Sequence, residues 1–309
     1  MKERFQAAIL GAAIGDALGA PLEFMSREQI QIRHGVVRDY VGGGWLDLRP
    51  GQYTDETEMM RRVLESLLEK RGLDVADLAG RYLSWSRSGP KDINPTVRST
   101  LAFMDMGVPL AIAARRTREE GGTVPDDNGI FPRSVPLGLL YAKDPKRAVE
   151  SALAEARITH DDLRAASASA TLSLLVAESF ARVGGREDFV EASLGRLDAL
   201  DTDAYNVLGD VFSKREEELR PSSTAVDTLE AALFFFLKSA TFEEALVRAV
   251  NFGGDADGVG AVTGAIAGAF HGIEAIPDRW GRSLQDAPLF SRLASRLADL
   301  AEKSGGLGT

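Results

Sequence analysis

The sequence contains no cysteine and only three histidines. Without cysteine there is no disulfide framework, no thiol nucleophile and no zinc–thiolate site. The histidines are His34, His160 and His271, and so small a number argues against a three-histidine zinc site. The thiol-based classes of enzyme and metal site are therefore excluded.

Positive charge is also scarce. The chain has 36 Lys and Arg against 46 Asp and Glu, which gives a formal net charge of −10. Nucleic-acid binding depends largely on basic side chains that neutralise phosphates, so we expect no stable nucleic-acid partner. An anionic small substrate would need local help from a metal ion or from backbone amides.

Long apolar runs are absent as well. No uninterrupted stretch of about 20 apolar residues appears, so we expect no membrane span. The first 20 residues mimic a signal peptide, but Asp16 interrupts the apolar run and a buried helix fits the segment as well. We expect a cytoplasmic protein and a monomer.

Helical spacing, by contrast, is abundant. In residues 55–70 the apolar side chains recur at the spacing of one helix face. Aromatic residues make up only 7% of the chain, and the one candidate extended piece is 35–43. The predicted helices cover 4–19, 55–70, 74–86, 94–104, 108–119, 146–156, 161–183, 187–197, 203–217, 224–238, 242–250, 258–272 and 289–303. We therefore predict an all-α protein with a single domain over 1–303 and a frayed tail over 304–309.

The first acidic cluster lies in the string YTDETEMM, residues 53–60. One interpretation is structural, because Thr54 is a good N-cap and acidic side chains suit the positive end of the helix dipole. The other is functional, because Thr54, Asp55 and Glu56 project together and offer hard oxygen ligands to Mg²⁺, Mn²⁺ or Ca²⁺. Both interpretations stay open on local sequence.

The second acidic cluster is GGDADGVG, residues 253–260. It does not fit an EF-hand, because counting from Asp255 the fifth position is Val259 and the twelfth is Ile266. It also lacks the G-x-G-x-x-G order of a dinucleotide loop. Asp255 and Asp257 can project to one side of an extended turn, where two carboxylates repel unless a cation or proton lies between them. The alternative is a solvated turn with an N-cap.

Two segments carry glycine at every fourth position. They are Gly11, Gly15 and Gly19 in one segment and Gly260, Gly264, Gly268 and Gly272 in the other. Glycine within a helix costs roughly 0.5–1 kcal/mol relative to alanine, so such ridges are favoured where another backbone approaches closely. We predict that these two helices pack together in the core. Asp16 would then be buried near the second cluster, where it needs a cation or hydrogen-bond donors such as those of a helix N-terminus.

Six motifs occur in a characteristic order: GAAIGDALGAPLEF, GQYTDETEM, DINPTVR, NGIFPRSVPLG, ITHDD and GGDADGVGAVTGAIAGA. This ordered set resembles the ADP-ribosylglycohydrolase family over nearly the whole chain. The resemblance implies a compact orthogonal helical bundle of the ADP-ribosylglycohydrolase type. It also implies a cleft for ADP-ribose with two divalent cations, Mg²⁺ or Mn²⁺. The implied reaction is hydrolysis at C1 of the distal ribose of ADP-ribosylated protein or of a small ADP-ribosyl compound.

The resemblance further assigns roles to single residues. The metal-ligand positions are Thr54, Asp55, Glu56, Asp255 and Asp257. Glu23 matches a carboxylate that faces the reacting ribose, and it is expected to act in catalysis with Asp55 and Asp257. The substrate-binding positions are Asp92 near the distal ribose, Asn128 and Gly129 near the diphosphate, and His160 in the cleft. Backbone amides of the DDNGI loop, residues 126–130, are expected to hold the diphosphate.

The sequence departs from the family pattern at two positions of the metal site. Glu56 stands where aspartate is usual, and Gly258 stands where threonine or serine is usual. Glycine has no side-chain oxygen, so water or a backbone carbonyl would have to replace that ligand. Three outcomes stay open: an altered two-metal site, a single cation or another ribosyl substrate, and ADP-ribose binding or a structural role with reduced or lost catalysis. The acceptor is not identified by the sequence.

Overall fold

The fold is built from helices in all of the chain that is described. The computed structural model describes residues 1–181, 184–197, 206 and 208–304. The α-helices are Lys2–Gly19 (α1), Arg27–His34 (α2), Asp55–Lys70 (α3), Val75–Arg87 (α4), Pro95–Asp105 (α5), Leu110–Glu120 (α6), Val135–Leu140 (α7), Pro145–Ala156 (α8), Leu163–Glu178 (α9), Arg186–Leu194 (α10), Ala225–Leu237 (α11), Phe242–Val250 (α12), Ala256–His271 (α13), Asp278–Ser283 (α14) and Ala287–Ser304 (α15). Within these residues there is no β-strand, only isolated bridges of Gly43 with Leu48 and of Asp127 with Thr224. The all-α prediction is confirmed.

Most of the predicted helices are confirmed to within a few residues. The helix predicted over 161–183 ends at Glu178, and its last two positions lie outside the described residues. The helix predicted over 203–217 is confirmed only in part: the described residues 206, 208 and 209 are helical, whereas residues 210–218 contain two separate 3-10 turns. There the Ser213 hydroxyl donates to the Asp210 carbonyl oxygen (3.0 Å), which competes with helical pairing. Positions 203–205 and 207 lie outside the described residues.

The short elements have no counterpart in the predictions. Helices α2, α7 and α14 have 8, 6 and 6 residues, which is too short for an apolar pattern to repeat. The candidate extended piece 35–43 forms no strand, and Gly43 alone pairs with Leu48. In the predicted tail, Ser304 ends α15 and residues 305–309 lie outside the described part of the chain.

The centre of the fold is the packing of α1 against α13. A Cβ on Gly15 would lie 1.9 Å from the Gly260 carbonyl oxygen, and one on Gly11 would lie 2.2 Å from that of Gly264. Gly11, Gly15 and Gly19 of α1 meet Gly264, Gly260 and Ala256 of α13 in that order, so the two helices run antiparallel. These contacts confirm the predicted glycine packing, and they bring the end of α1 next to the first turn of α13.

The first helix is a core helix. Residues Lys2–Leu22 have the length and apolar composition of a membrane span, but 94% of that window is buried inside the protein. They belong to one hydrophobic core whose members run from Phe5 to Ala301. Burial among other helices accounts for the apolar character of this segment.

Asp16 connects α1 to the start of α3. Its carboxylate is fully buried and accepts hydrogen bonds from the backbone N–H and the hydroxyl of both Thr54 and Thr57, at 2.6–3.2 Å. The sequence left a cation or hydrogen-bond donors as partners for Asp16, and the structure shows the donors of a helix N-terminus. These bonds fix the start of α3 beside the α1–α13 contact and so bring the two acidic clusters together.

Candidate active site

One cleft of about 470 Å³ joins the two acidic clusters. Its volume is in the range of small-molecule sites. The carboxylates that line it are Glu23, Asp55, Glu56, Asp92, Asp127, Asp255 and Asp257. Another groove, of about 500 Å³, lies at Arg27, Glu216 and Arg248, but these side chains already pair with one another. The acidic cleft is therefore the better candidate for chemistry.

The first cluster forms the N-terminus of α3. Thr54 is the N-cap, and its hydroxyl accepts from the Glu56 N–H (3.4 Å) while it donates to Asp16 (3.0 Å). Thr54 does not line the cleft, whereas Asp55 and Glu56 do. Asp55 accepts from the Asn94 N–H (2.7 Å), and Glu56 Oε2 is buried with no hydrogen-bond partner in the described chain. The predicted cap is thus present, and it leaves two carboxylates at the cleft.

The second cluster forms the N-terminus of α13. Asp255 is the N-cap, and its carboxylate accepts from the Gly258 N–H (3.2 Å). Asp257 follows in the first turn and is 4% exposed, and its Oδ1 has no hydrogen-bond partner among the described residues. The N-cap alternative is confirmed for Asp255 and does not account for Asp257. A buried carboxylate oxygen without a donor is costly unless a cation or a proton satisfies it.

Asp257 lies close to two further carboxylates, those of Glu23 and Asp92. One carboxylate oxygen from each lies within 4.8 Å of the others. Burial, with the neighbouring carboxylates as a smaller cause, raises the pKa of Glu23 to about 8 and that of Asp55 to about 8. The same causes raise the pKa of Asp257 well above its ordinary value. Acids this close together need protons or cations between them.

The donor set fits a hard divalent cation such as Mg²⁺ or Mn²⁺, which prefers carboxylate oxygens. Glu56 and Asp257 both line the cleft, and each has one buried carboxylate oxygen, Glu56 Oε2 and Asp257 Oδ1, without a hydrogen-bond partner among the described residues. Asp55 and Asp255 add two further carboxylates. The structure therefore brings four of the five predicted ligands to the cleft, while Thr54 lines an adjoining pocket that shares Asp55 with it.

Gly258 has a packing role that its sequence motif does not reveal. A Cβ at this position would lie 2.5 Å from Asp255 Oδ1 and 2.6 Å from Asn128 Nδ2. Two side-chain ends therefore occupy the space that a residue larger than glycine would need. A threonine at 258 would have to displace the Asp255 carboxylate from its capping position, so adding a hydroxyl there does more than restore a ligand.

The loop at Asn128 and Gly129 is placed differently from expectation. The Asn128 N–H donates to the Ser223 carbonyl oxygen (2.8 Å), and the Gly129 N–H donates to Asp127 Oδ1 (3.0 Å). Both amides already donate inside the protein, so neither is free to donate to a diphosphate in this structure. Asn128 still lines the cleft with its side chain, while Gly129 is buried and packs against Asn94.

His160 lies behind the cleft wall and is not among the residues that line it. It is fully buried, and its Nε2 is 2.8 Å from Asp127 Oδ1. Its Nδ1 is 2.8 Å from the Thr159 hydroxyl oxygen, which also accepts from Arg133 (2.9 Å). Because a carboxylate oxygen can only accept, the Nε2–H of His160 donates to Asp127. His160 therefore orients a cleft residue instead of contacting substrate directly.

Asp127 is one of several cleft residues that sequence reasoning missed. It accepts from His160, from the Gly129 N–H and from Thr96. Despite its burial, the His160 imidazole and these hydrogen bonds hold the pKa of Asp127 below its ordinary value. Asp127 precedes the motif NGIFPRSVPLG directly, and that position was the only available signal.

Four more missed residues line the cleft: Phe24, Trp45, Arg98 and Thr123. Arg98 is the one cationic side chain among the described residues of the lining. Thr123 Oγ1 is buried and has no hydrogen-bond partner in the part of the chain that is described. Arg98 stands within the motif DINPTVR, but one arginine in a helix has no pattern that predicts a ligand.

The whole chain is similar to known ADP-ribosylglycohydrolases. The family model described as ADP-ribosylglycohydrolase matches residues 1–306. The ADP-ribosyl-[dinitrogen reductase] glycohydrolase of Rhodospirillum rubrum is 35% identical over 281 residues, which are 90% of this chain and 89% of that protein. The ADP-ribosylarginine hydrolase Tri1 of Serratia proteamaculans is 29% identical over 97% of this chain and 80% of its own. A solved structure described as an ADP-ribosylglycohydrolase-related protein complex has a TM-score of 0.81 at 35% identity, over 97% of this chain and 98% of that one. The chain belongs to the ADP-ribosylglycohydrolase family and is a glycosyl-bond hydrolase.

Proposed function

We propose that this hydrolase cleaves the glycosidic bond at C1 of the distal ribose of ADP-ribosylated protein or a small ADP-ribosyl compound, with the help of divalent cations. The observation that carries the proposal is that Glu56 and Asp257, which line one cleft, each keep a buried carboxylate oxygen without a hydrogen-bond partner among the described residues. Relatives named as an ADP-ribosyl-[dinitrogen reductase] glycohydrolase and an ADP-ribosylarginine hydrolase support the substrate class.

Asp55, Glu56, Asp255 and Asp257 are the residues that would hold one or two cations, either Mg²⁺ or Mn²⁺. Thr54, the fifth predicted ligand, orders this group through its bond to Asp16. A bound cation would neutralise the carboxylates and orient the ribose hydroxyls. The glutamate at 56 keeps a free oxygen at the cleft, so the longer side chain does not remove this donor.

Glu23 is the carboxylate best placed for proton transfer. It accepts a hydrogen bond from Trp45 Nε1 (2.6 Å) and lies in the carboxylate group with Asp92 and Asp257. In hydrolysis, water adds to C1, the bond from C1 to the acceptor breaks, and the acceptor leaves with a proton. A carboxylate beside C1 can take the proton from water or give one to the leaving group. The surrounding negative charge also stabilises an oxocarbenium-like transition state.

The remaining cleft residues suit the rest of the substrate. Arg98 supplies a guanidinium for the diphosphate, and the unpaired hydroxyl of Thr123 offers it a hydrogen bond. These groups replace the backbone amides that the sequence suggested. Asp127, oriented by His160, can accept a hydrogen bond from a substrate hydroxyl.

A release assay tests the proposal. The protein is incubated with ADP-ribosylated peptides in Mg²⁺, in Mn²⁺ and in EDTA, and free ADP-ribose is quantified. We expect release with a cation and none in EDTA. Failure to release ADP-ribose under every condition would defeat the proposal. Calorimetric binding of ADP-ribose without turnover would support the alternative, a binding protein with lost catalysis.

A further inference from the structure

Two large aromatic side chains stand exposed at the edge of the acidic cleft. Phe24 is 69% exposed and Trp45 is 55% exposed, and both line the cleft. Their ring centroids are 5.7 Å apart, with an angle of 44° between the ring planes. The proposed mechanism uses only the indole N–H of Trp45 and neither ring face, although exposed apolar groups beside a site commonly mark a binding surface.

The backbone holds Phe24 outward at an energetic cost. Its φ of +64° is in the left-handed region, which a residue with a bulky side chain seldom adopts. Two backbone hydrogen bonds fix this conformation, from the Phe24 N–H to the Gly254 carbonyl oxygen (2.8 Å) and from the Gly254 N–H to that of Met25 (2.9 Å). Gly254 directly precedes Asp255, so the exposed ring is tied to the second acidic cluster.

Trp45 is presented by a short loop. Gly43 and Leu48 close this loop with paired backbone hydrogen bonds of 2.7 and 2.8 Å. The indole Nε1–H donates to Glu23 Oε2 (2.6 Å), which anchors the ring over the acidic cleft. Both rings are therefore held in place. Trp45 is bonded to the Glu23 carboxylate, and Phe24 is bonded to Gly254, which precedes Asp255.

The chemistry beside the rings indicates a planar cation. One carboxylate oxygen each from Glu23, Asp92 and Asp257 lies within 4.8 Å of the others. An aromatic face attracts a guanidinium, and carboxylates pair with the same group through its N–H donors. A neutral hydroxyl acceptor would gain from neither interaction. Adenine could stack on the rings but has no positive charge to meet three carboxylates.

We propose that Phe24 and Trp45 form an acceptor platform that binds the guanidinium of an ADP-ribosylated arginine side chain. The proposal rests on the proposed function, since it names the acceptor of that same reaction. The rings hold the acceptor while Glu23 lies next to it. Arginine-linked ADP-ribose is then preferred over serine-linked ADP-ribose, and the platform contributes nothing to the affinity for the product ADP-ribose.

The test compares substrates that differ only in the acceptor. Wild type, Trp45→Ala and Phe24→Ala are assayed on an arginine-linked and a serine-linked ADP-ribosyl peptide, and the Kd of ADP-ribose is measured by calorimetry. Phe24→Tyr keeps an aromatic face, leaves the bond from Trp45 to Glu23 intact and serves as the conservative control. Ile32→Ala removes another exposed apolar side chain, 86% exposed and outside the cleft.

We expect each alanine variant to raise KM for the arginine-linked peptide about tenfold, with the serine-linked KM and the Kd of ADP-ribose unchanged. Phe24→Tyr should recover most of the loss seen in Phe24→Ala, and Ile32→Ala should match wild type. An equal rise in the Kd of ADP-ribose would overturn the proposal, because the rings would then contact the nucleotide. Unchanged KM on both peptides would overturn it as well.

The failure of the proposed function gives a different result. In that case wild type releases ADP-ribose from neither peptide with either cation. The acceptor platform is then tested by calorimetry with the uncleaved peptides. Tighter binding of the arginine-linked than of the serine-linked peptide, lost in Trp45→Ala, supports the platform, and equal binding of the two contradicts it.

Discussion

Replacing Gly15 with alanine should separate the two central helices. A Cβ needs about 3.5 Å from its neighbours, whereas one on Gly15 would lie 1.9 Å from the Gly260 carbonyl oxygen and 2.3 Å from its carbonyl carbon. The contact atoms belong to backbone and cannot rotate away, so α1 and α13 must move apart by about 1.5 Å. We expect the free energy of unfolding to fall by about 3 kcal/mol, at the upper end for overpacked cores.

Chemical denaturation of matched variants measures this effect. Gly80 lies in the middle of α4, and a Cβ there would meet no described atom within 4 Å. Gly80→Ala should therefore raise the free energy of unfolding by about 0.5–1 kcal/mol through helix propensity. If Gly15→Ala unfolds at the same denaturant concentration as Gly80→Ala, the close backbone packing at the centre of the fold is refuted.

Two further predictions concern the site. Arg98→Gln should raise the Kd of ADP-ribose about tenfold and leave the Kd of adenosine unchanged, because it removes the guanidinium assigned to the diphosphate. Calorimetry with both ligands measures this, and an equal rise in both Kd values would contradict that role. In EDTA, the free energy of unfolding should fall as pH rises from about 4 to about 8. The reason is that burial raises the pKa of Asp16 to about 7 and that of Asp55 to about 8 from 3.8, so the folded chain binds more protons than the unfolded one in that window. Denaturant titrations across pH measure this slope, Mg²⁺ should offset it, and a flat profile would contradict the crowding of acids.

The fold was predictable because its signals are local and repeated. Apolar spacing gave α3 at its observed start and end, and glycine at every fourth position identified the α1–α13 contact. Helices α7 and α14 were beyond reach, since six residues do not complete two turns. The helix predicted over 203–217 is replaced by 3-10 turns from residue 210 on, because apolar spacing does not register the local hydrogen bond of Ser213.

The site was predictable where its residues stand in dense motifs. Asp55, Glu56, Asp255 and Asp257 all line the cleft as the sequence suggested. What the sequence could not show is which polar atoms are already satisfied. Thr54 is occupied with Asp16, and hydrogen-bonding partners of this kind come from distant segments that local spacing does not relate.

The substrate-binding predictions show the same limit. His160 lies behind Asp127, and the Gly129 N–H donates to that carboxylate, so neither residue meets the cleft directly. The residues that do line the cleft include Arg98 and Trp45, single side chains with no periodicity or spacing to mark them. Tertiary placement alone gives them a role.

The central claim is that the two acidic clusters hold a divalent cation required for hydrolysis. Its most direct test is a Mn²⁺ titration by calorimetry, with turnover measured in parallel, on wild type, Asp257→Asn and Asp278→Asn. Asp257→Asn keeps the shape of the side chain and removes the negative charge of the carboxylate whose Oδ1 has no hydrogen-bond partner among the described residues. Asp278 is exposed and serves as the control. We expect Asp257→Asn to lose both Mn²⁺ binding and turnover at wild-type folding stability, and Asp278→Asn to behave as wild type. Full turnover by wild type in EDTA, or undiminished Mn²⁺ affinity in Asp257→Asn, would contradict it.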